Sequence, residues 1–218
     1  ILKDQLNLMR VGEPMYVFYG YVEDGYDENG HIVYKNMDDD PAITAADKTI
    51  IGDPNPDFLV NLTTAVSYKG FTLSAFFQSS IGNDIYSLSM AAQAYDYGYN
   101  GNTLREVYYN HWTPENPTAK YPNLDQTSYK MSDRFVYDGS FVRLKNLELA
   151  YDVPCARSKF IKRARVYVSA QNLFTITSYP FWDPDINANG GGSSMIQGVD
   201  SYCYPSARTY TIGCRLTF

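Results

Sequence analysis

An all-β chain whose strands separate two different solvents is predicted by three observations. Residues 208–218 alternate almost without a fault, with Tyr210, Ile212, Cys214, Leu216 and Phe218 on one parity and Thr209, Thr211, Gly213, Arg215 and Thr217 on the other. Aromatic residues make up 16% of the 218, including 21 Tyr, and no apolar run approaches the ~18 residues of a transmembrane helix. Long and short connections between strand-like segments take turns along the chain. A period of two with unlike faces means a strand between unlike environments, and about ten tilted residues cross a bilayer. A soluble sandwich would lay the same apolar face on a core, so the terminal strand alone leaves both readings open.

The strand signals follow in order. Residues 57–68 and 71–78 read as a hairpin joined by Lys69-Gly70, where glycine accepts the positive φ of a tight turn. Phe58, Val60, Leu62, Val66 and Tyr68 share one parity against Asn61, Thr63 and Ser67, and Phe71, Leu73, Ala75 and Phe77 share a face on the return. Residues 79–138 lack sustained periodicity apart from a helical signal at 87–94. In 140–152, Leu147, Leu149 and Tyr151 oppose Asn146, Glu148 and Ala150, while Val142 and Leu144 break the parity and predict a bulge. In 164–177, Val166, Val168 and Ala170 oppose Arg165, Tyr167, Ser169 and Gln171. An irregular 178–207 then leads to the last strand.

Connections of two, about sixty, about ten and about thirty residues are the alternation of a transmembrane barrel with short periplasmic turns and long extracellular loops. We expect residues 1–56 to form an extracellular loop region with short strands and an acidic turn, and 57–218 to supply about five barrel strands with long loops at 79–138 and 178–207. Five strands do not close a barrel, which predicts further strands upstream. The chain opens without Met or a signal peptide, so an internal start within a larger protein is expected.

Composition excludes other classes. A net charge of −6 and a sequence pI near 4.9 argue against nucleic acid as partner. Cys155, Cys203 and Cys214 are too few and too scattered for a disulfide framework or a zinc knuckle.

Eight phrases, in order, carry a family resemblance: Val-Gly-Glu-Pro-Met-Tyr-Val-Phe-Tyr-Gly-Tyr at 11–21, Ile-Ile-Gly-Asp-Pro-Asn-Pro-Asp-Phe at 50–58, Tyr-Lys-Gly-Phe at 68–71, Phe-Phe-Gln at 76–78, Trp-Thr-Pro-Glu-Asn-Pro at 112–117, Asp-Gly-Ser-Phe-Val-Arg-Leu-Lys-Asn at 138–146, Gln-Asn-Leu-Phe at 171–174, and the terminal strand. Together they resemble the C-terminal β-barrel portion of the SusC/RagA family of TonB-dependent outer-membrane transporters. The resemblance implies a 22-stranded barrel, a plug domain absent from this chain, contact with TonB through the missing N-terminal part, and a SusD-like surface lipoprotein as lid. It further implies import of oligosaccharides or peptides across the outer membrane of Bacteroidetes-like bacteria. The last strand, with Tyr210, Ile212, Cys214, Leu216 and Phe218 toward lipid, is similar to the signal read by the barrel-assembly machinery. The competing reading is a secreted, soluble glycan-binding β-sandwich.

The chemistry-bearing residues are sparse. Asn36, Asp38, Asp40 and Asp47 stand at positions one, three, five and twelve of an EF-hand-like loop, the order in which oxygens would collect Ca²⁺, although Pro41 replaces the usual flexible glycine. The alternative is a solvated acidic turn, and no cofactor is otherwise required. Tyr95, Tyr97, Tyr99, Tyr108, Tyr109 and Trp112 crowd one long loop and Trp182 lies in another; they are candidate contacts for cargo or lid, or else staples of their own loops. His31 and His111 have no neighbours that would complete a metal site. Among Glu106, Glu115, Asp183 and Asp185 nothing selects a catalytic pair, so no enzymatic activity is expected. Arg165, Gln171 and Arg215 fall on the polar parity and are expected to face the barrel lumen.

Overall fold

The computed structural model describes residues 6–38, 40–95, 102–126, 129–155, 160–186 and 196–218. The chain divides into two compact units: residues 56–82, 139–185 and 204–218 form one, and residues 1–55, 83–138 and 186–203 the other.

The first unit is a five-stranded antiparallel sheet. In chain order the chain's strands are β1 (Asn7–Leu8), β2 (Val17–Gly20), β3 (Glu23–Tyr26), β4 (Ile32–Tyr34), β5 (Thr49–Gly52), β6 (Phe58–Tyr68), β7 (Phe71–Ile81), β8 (Asp84–Ser87), β9 (Val136–Asp138), β10 (Phe141–Val153), β11 (Arg163–Thr177), β12 (Val199–Asp200) and β13 (Thr209–Thr217). The sheet runs β13-β11-β10-β7-β6. Lys69 and Gly70, with φ of 47° and 85°, make the two-residue turn between β6 and β7. Positive φ at both positions suits the twist of the flanking strands. The predicted bulge is present: register shifts between Leu144 and Asn146 on both sides of β10, and Asn172 opposite takes φ 51°.

Residues directly paired across antiparallel strands point the same way, so the register assembles two faces. Leu62, Phe77, Leu144 and Phe174 lie in one row; Leu73, Leu149, Val168 and Ile212 lie in another. The opposite face carries Asn61, Gln78, Arg143 and Thr175 in one row and Ser74, Glu148, Ser169 and Thr211 in another. The bulge keeps both faces continuous: by inserting Lys145 it restores parity after Leu144.

In the second unit the strands are short. β1, β2 and β5 form one sheet, β3 and β4 a hairpin, and β12, β8 and β9 another sheet in which β12 runs parallel to β8. Among the described residues the α-helices are α1 (Leu88–Tyr95), with Ser87 Oγ accepting from the Met90 N–H at 3.2 Å, and α2 (Arg105–Tyr109). Phe18, Tyr86 and Phe135 form an aromatic column with centroids 5.9 and 6.0 Å apart, all 1% exposed or less. Val107 of α2 is fully buried. The helical signal at 87–94 matches α1, but 79–138 is more ordered than its periodicity suggests. β7 runs on to Ile81, and β8, β9 and α2 also fall in this stretch. Strands of three or four residues paired to distant segments are too short to show a period.

Candidate functional site

The sheet exposes what a water-soluble sheet would bury. Phe58, Leu62, Val66, Phe71, Leu73, Leu149, Val168, Ile176, Ile212 and Phe218 are 44–86% exposed on the apolar face. Tyr210 and Leu216, at 69% and 46%, share that face with Cys214, which is also exposed. Rows of paired Val, Leu, Ile and Phe are a surface that water does not tolerate at this size.

The polar face buries an arginine instead. Arg143 is the largest fully buried side chain among the described residues, at 1% exposure. Its guanidinium donates to Thr175 Oγ1 at 2.9 Å, to Ser206 Oγ at 3.2 Å, to Asp185 Oδ2 at 3.4 Å and, in the shortest contact, to Asp183 Oδ1. Lys145, the bulge residue, reaches Asp185 at 3.4 Å. Burial pushes the Asp183 carboxyl up, but the Ser206 N–H, the Arg143 guanidinium and the Asp185 N–H outweigh it and hold the group below its ordinary value. Arg143 thus ties the segments after β11 and before β13 to the sheet wall. A lone arginine on the polar parity did not mark this role in the sequence; the Asp-Pro-Asp at 183–185, just after β11, was the available signal. Arg165, Gln171 and Arg215 lie on this same polar face, with Gln171 opposite Thr209.

The acidic loop hydrogen-bonds to itself. Asn36 Oδ1 accepts from Asp38 N–H at 3.1 Å, Asp38 Oδ1 from Asp40 N–H at 2.9 Å, and Asp40 Oδ1 from Ala42 N–H at 3.0 Å. Asp47 is fully buried, accepting from Met37 N–H and Thr44 N–H at 2.7 Å each, which holds its carboxyl below the ordinary range. Among the described residues no three His, Cys, Asp or Glu converge as a metal-holding group.

The aromatic candidates separate. Tyr108 and Tyr109 are 60% and 65% exposed and stand edge to face at 5.2 Å, and the Arg105 guanidinium lies 5.5 Å from the Tyr109 ring. Trp182, in the sheet unit, is 73% exposed. The Trp112 ring is half-buried against Gly30, whose φ of 79° no β-carbon obstructs. Tyr97, Tyr99 and the side chain of Tyr95 lie outside the described residues. His31 Nε2 stands 2.9 Å from Asp125, and His111 Nδ1 2.7 Å from the Tyr108 carbonyl. Glu106 pairs with Lys120 at 2.7 Å.

No protein-family model matches the chain. TonB-dependent receptor P3 of Formosa agariphila is 32% identical over 238 residues, covering all of this chain and 23% of that receptor. TonB-dependent receptor SusC of Bacteroides thetaiotaomicron is 30% identical over 215 residues, covering 96% of the chain and 20% of that protein. The solved RagAB peptide transporter superposes on the whole chain with a TM-score of 0.83 at 26% identity, the match taking up 24% of the solved chain. The chain therefore spans less than a quarter of the length of these relatives.

Proposed function

We propose, from the premise that this chain belongs to the SusC/RagA-type TonB-dependent receptors, that it is part of the wall of an outer-membrane importer. The observation that carries this reading is the two-faced sheet, apolar and exposed on one side, polar on the other. The apolar face meets lipid and the polar face lines the lumen. β10 and β11, of 13 and 15 residues, exceed the roughly 9–11 a tilted strand needs to cross the hydrocarbon core. In this proposal the remainder of the polypeptide contributes the plug, the TonB contact and the strands that complete a 22-stranded barrel.

A SusD-like lipoprotein is the proposed lid, and oligosaccharide or peptide the proposed cargo. The long connections leave one end of the sheet, which the reading places outside the cell. The exposed rings of Tyr108 and Tyr109 in one unit, and separately that of Trp182 in the other, are suited to stack on sugar rings or pack on a protein surface at low entropic cost. The acidic loop at 36–47 is proposed as a weak Ca²⁺ site only if its Asx turns open to release their oxygens. The soluble-sandwich reading would need a second sheet over the apolar face, and the exposures of Phe58, Leu62 and Ile212 speak against it.

The test is mass spectrometry of the native protein from detergent-solubilised outer membranes. Peptides from upstream of this chain together with a co-purifying lipoprotein are expected. Recovery of a complete 24.7 kDa species without detergent would overturn the reading.

A further inference from the structure

The two short connections of the sheet carry cations and no carboxylate. One is Lys69-Gly70; the other, residues 154–162, holds Arg157, Lys159 and Lys162. The long connections are acidic by contrast, and residues 178–207 hold Asp183, Asp185 and Asp200 with neither Lys nor Arg. Beside the first turn the register sets Tyr68 opposite Phe71 and Phe71 opposite Tyr151, three rings in one row of the apolar face. Phe71 and Tyr151 stand 4.5 Å apart, and a β-carbon on Gly70 would come within 3.1 Å of the Tyr151 ring. Tyr68 is 69% exposed and Phe71 50%. The Lys69 ammonium lies 5.2 Å from the centroid of the Tyr68 ring, close enough for cation–π attraction. That contact holds the ammonium at the rim of the apolar face without neutralising it. Among the described residues no carboxylate pairs with Lys69, and Asp152, next to Tyr151 in the chain, is taken by Arg165 on the polar face. Asn, Asp or Gly fits a φ of 47° with less strain, so the turn itself does not call for lysine.

We propose that Lys69, with the rings of Tyr68, Phe71 and Tyr151, holds an anionic phospholipid of the periplasmic leaflet, its phosphate against the ammonium and an acyl chain along the rings. The proposal rests on the importer reading, which puts this face in lipid and the short turns at the periplasmic side. Rings at a membrane interface settle at headgroup depth and would serve any lipid. Charge makes the site selective. A lysine near the headgroups favours an anionic lipid by about fivefold, whereas a zwitterionic headgroup brings an ammonium of its own and gains less. Lys162, on the parity of Ala164 and Val166 at the same end of the sheet, adds to the field.

The experiment uses the full-length receptor in phosphatidylcholine vesicles that contain a trace of a lipid with a diazirine near the glycerol end of one acyl chain, either phosphatidylglycerol or phosphatidylcholine. After illumination, peptide mapping is expected to find residues 68–71 and 151 labelled about fivefold more by the phosphatidylglycerol probe. Lys69→Asn removes the charge and suits the left-handed turn, so it should fold and abolish that excess, while Lys69→Arg retains it. Raising the salt to 1 M on the unaltered receptor should also shrink the excess, because the Debye length contracts from about 10 Å at 0.1 M to 3 Å. Equal labelling by the two probes, an excess that survives both Lys69→Asn and salt, or an excess that inorganic phosphate competes away would overturn the proposal. The importer reading fails separately, if neither probe labels the apolar face of any strand.

Discussion

The two units differ in what they leave exposed and in the largest side chain each buries. In the unit of short strands, Phe18, Tyr86 and Phe135 are 1% exposed or less, the ordinary arrangement of a protein in water. In the sheet unit, Ile212 is 86% exposed and Val66 66%, while Arg143 is 1% exposed. Both units draw on the same β-branched and aromatic residues; what differs is the solvent each was shaped for. On the proposed importer reading, lipid replaces a core on the sheet's apolar face, and charges withdraw to the other.

The predictions test that contrast, taken in order of expected effect. Arg143→Met should destabilise the sheet unit by about 3–5 kcal/mol, because it leaves the Asp183 carboxylate buried without its cation. Denaturant unfolding of the full-length receptor in detergent measures this, and adding Asp183→Asn should recover much of the loss. Acid should do the same as the arginine deletion. The Asp183 carboxyl is held below its ordinary value in the folded state, so its contribution is present above the unfolded value near 3.9 and is lost as pH falls through the lower folded one.

Ile212→Arg should cost about 2–4 kcal/mol in a bilayer, whereas Thr211→Arg, one residue away on the polar face, should cost far less. Heat-modifiable migration of the two variants compares them directly, and equal stability would break the assignment of faces. Gly70→Ala should cost about 1–2 kcal/mol through its left-handed φ of 85°, with a β-carbon also 3.1 Å from Tyr151; the same unfolding assay reads it.

The smallest effect is expected in the other unit, at Asp84. Burial first, and then the neighbouring charges of Asp138 and Asp53, raise its carboxyl above the ordinary value, against the opposing Asp53 N–H. A raised carboxyl favours the fold below the unfolded value near 3.9, and that gain is lost as pH rises through the folded one. Asp84→Asn should therefore stabilise this unit modestly at pH 7 and not at pH 3, measured by hydrogen exchange of β8.

The long strands were legible because each spans enough residues to show a period of two. Their parity, the hairpin turn at Lys69-Gly70 and the bulge beside Leu144 all follow from local sequence. β8, β9 and β12 were not, since two to four residues carry no period and their pairing is decided by partners as far as 113 positions away, as between Tyr86 and Val199. Trp112 illustrates the same limit: beside Tyr108 and Tyr109 in sequence, it packs on Gly30 while they remain exposed.

Sequence alone determined that this chain makes two-faced antiparallel strands, because alternation is a property of neighbouring residues and needs no partner. Only the tertiary structure decided that three separate stretches, 1–55, 83–138 and 186–203, pack as one unit around an aromatic column, and that Arg143 is the largest fully buried side chain of the sheet among the described residues. Those outcomes depend on which distant segments meet, and the free energy of burying an aromatic ring or satisfying a guanidinium exists only once they do.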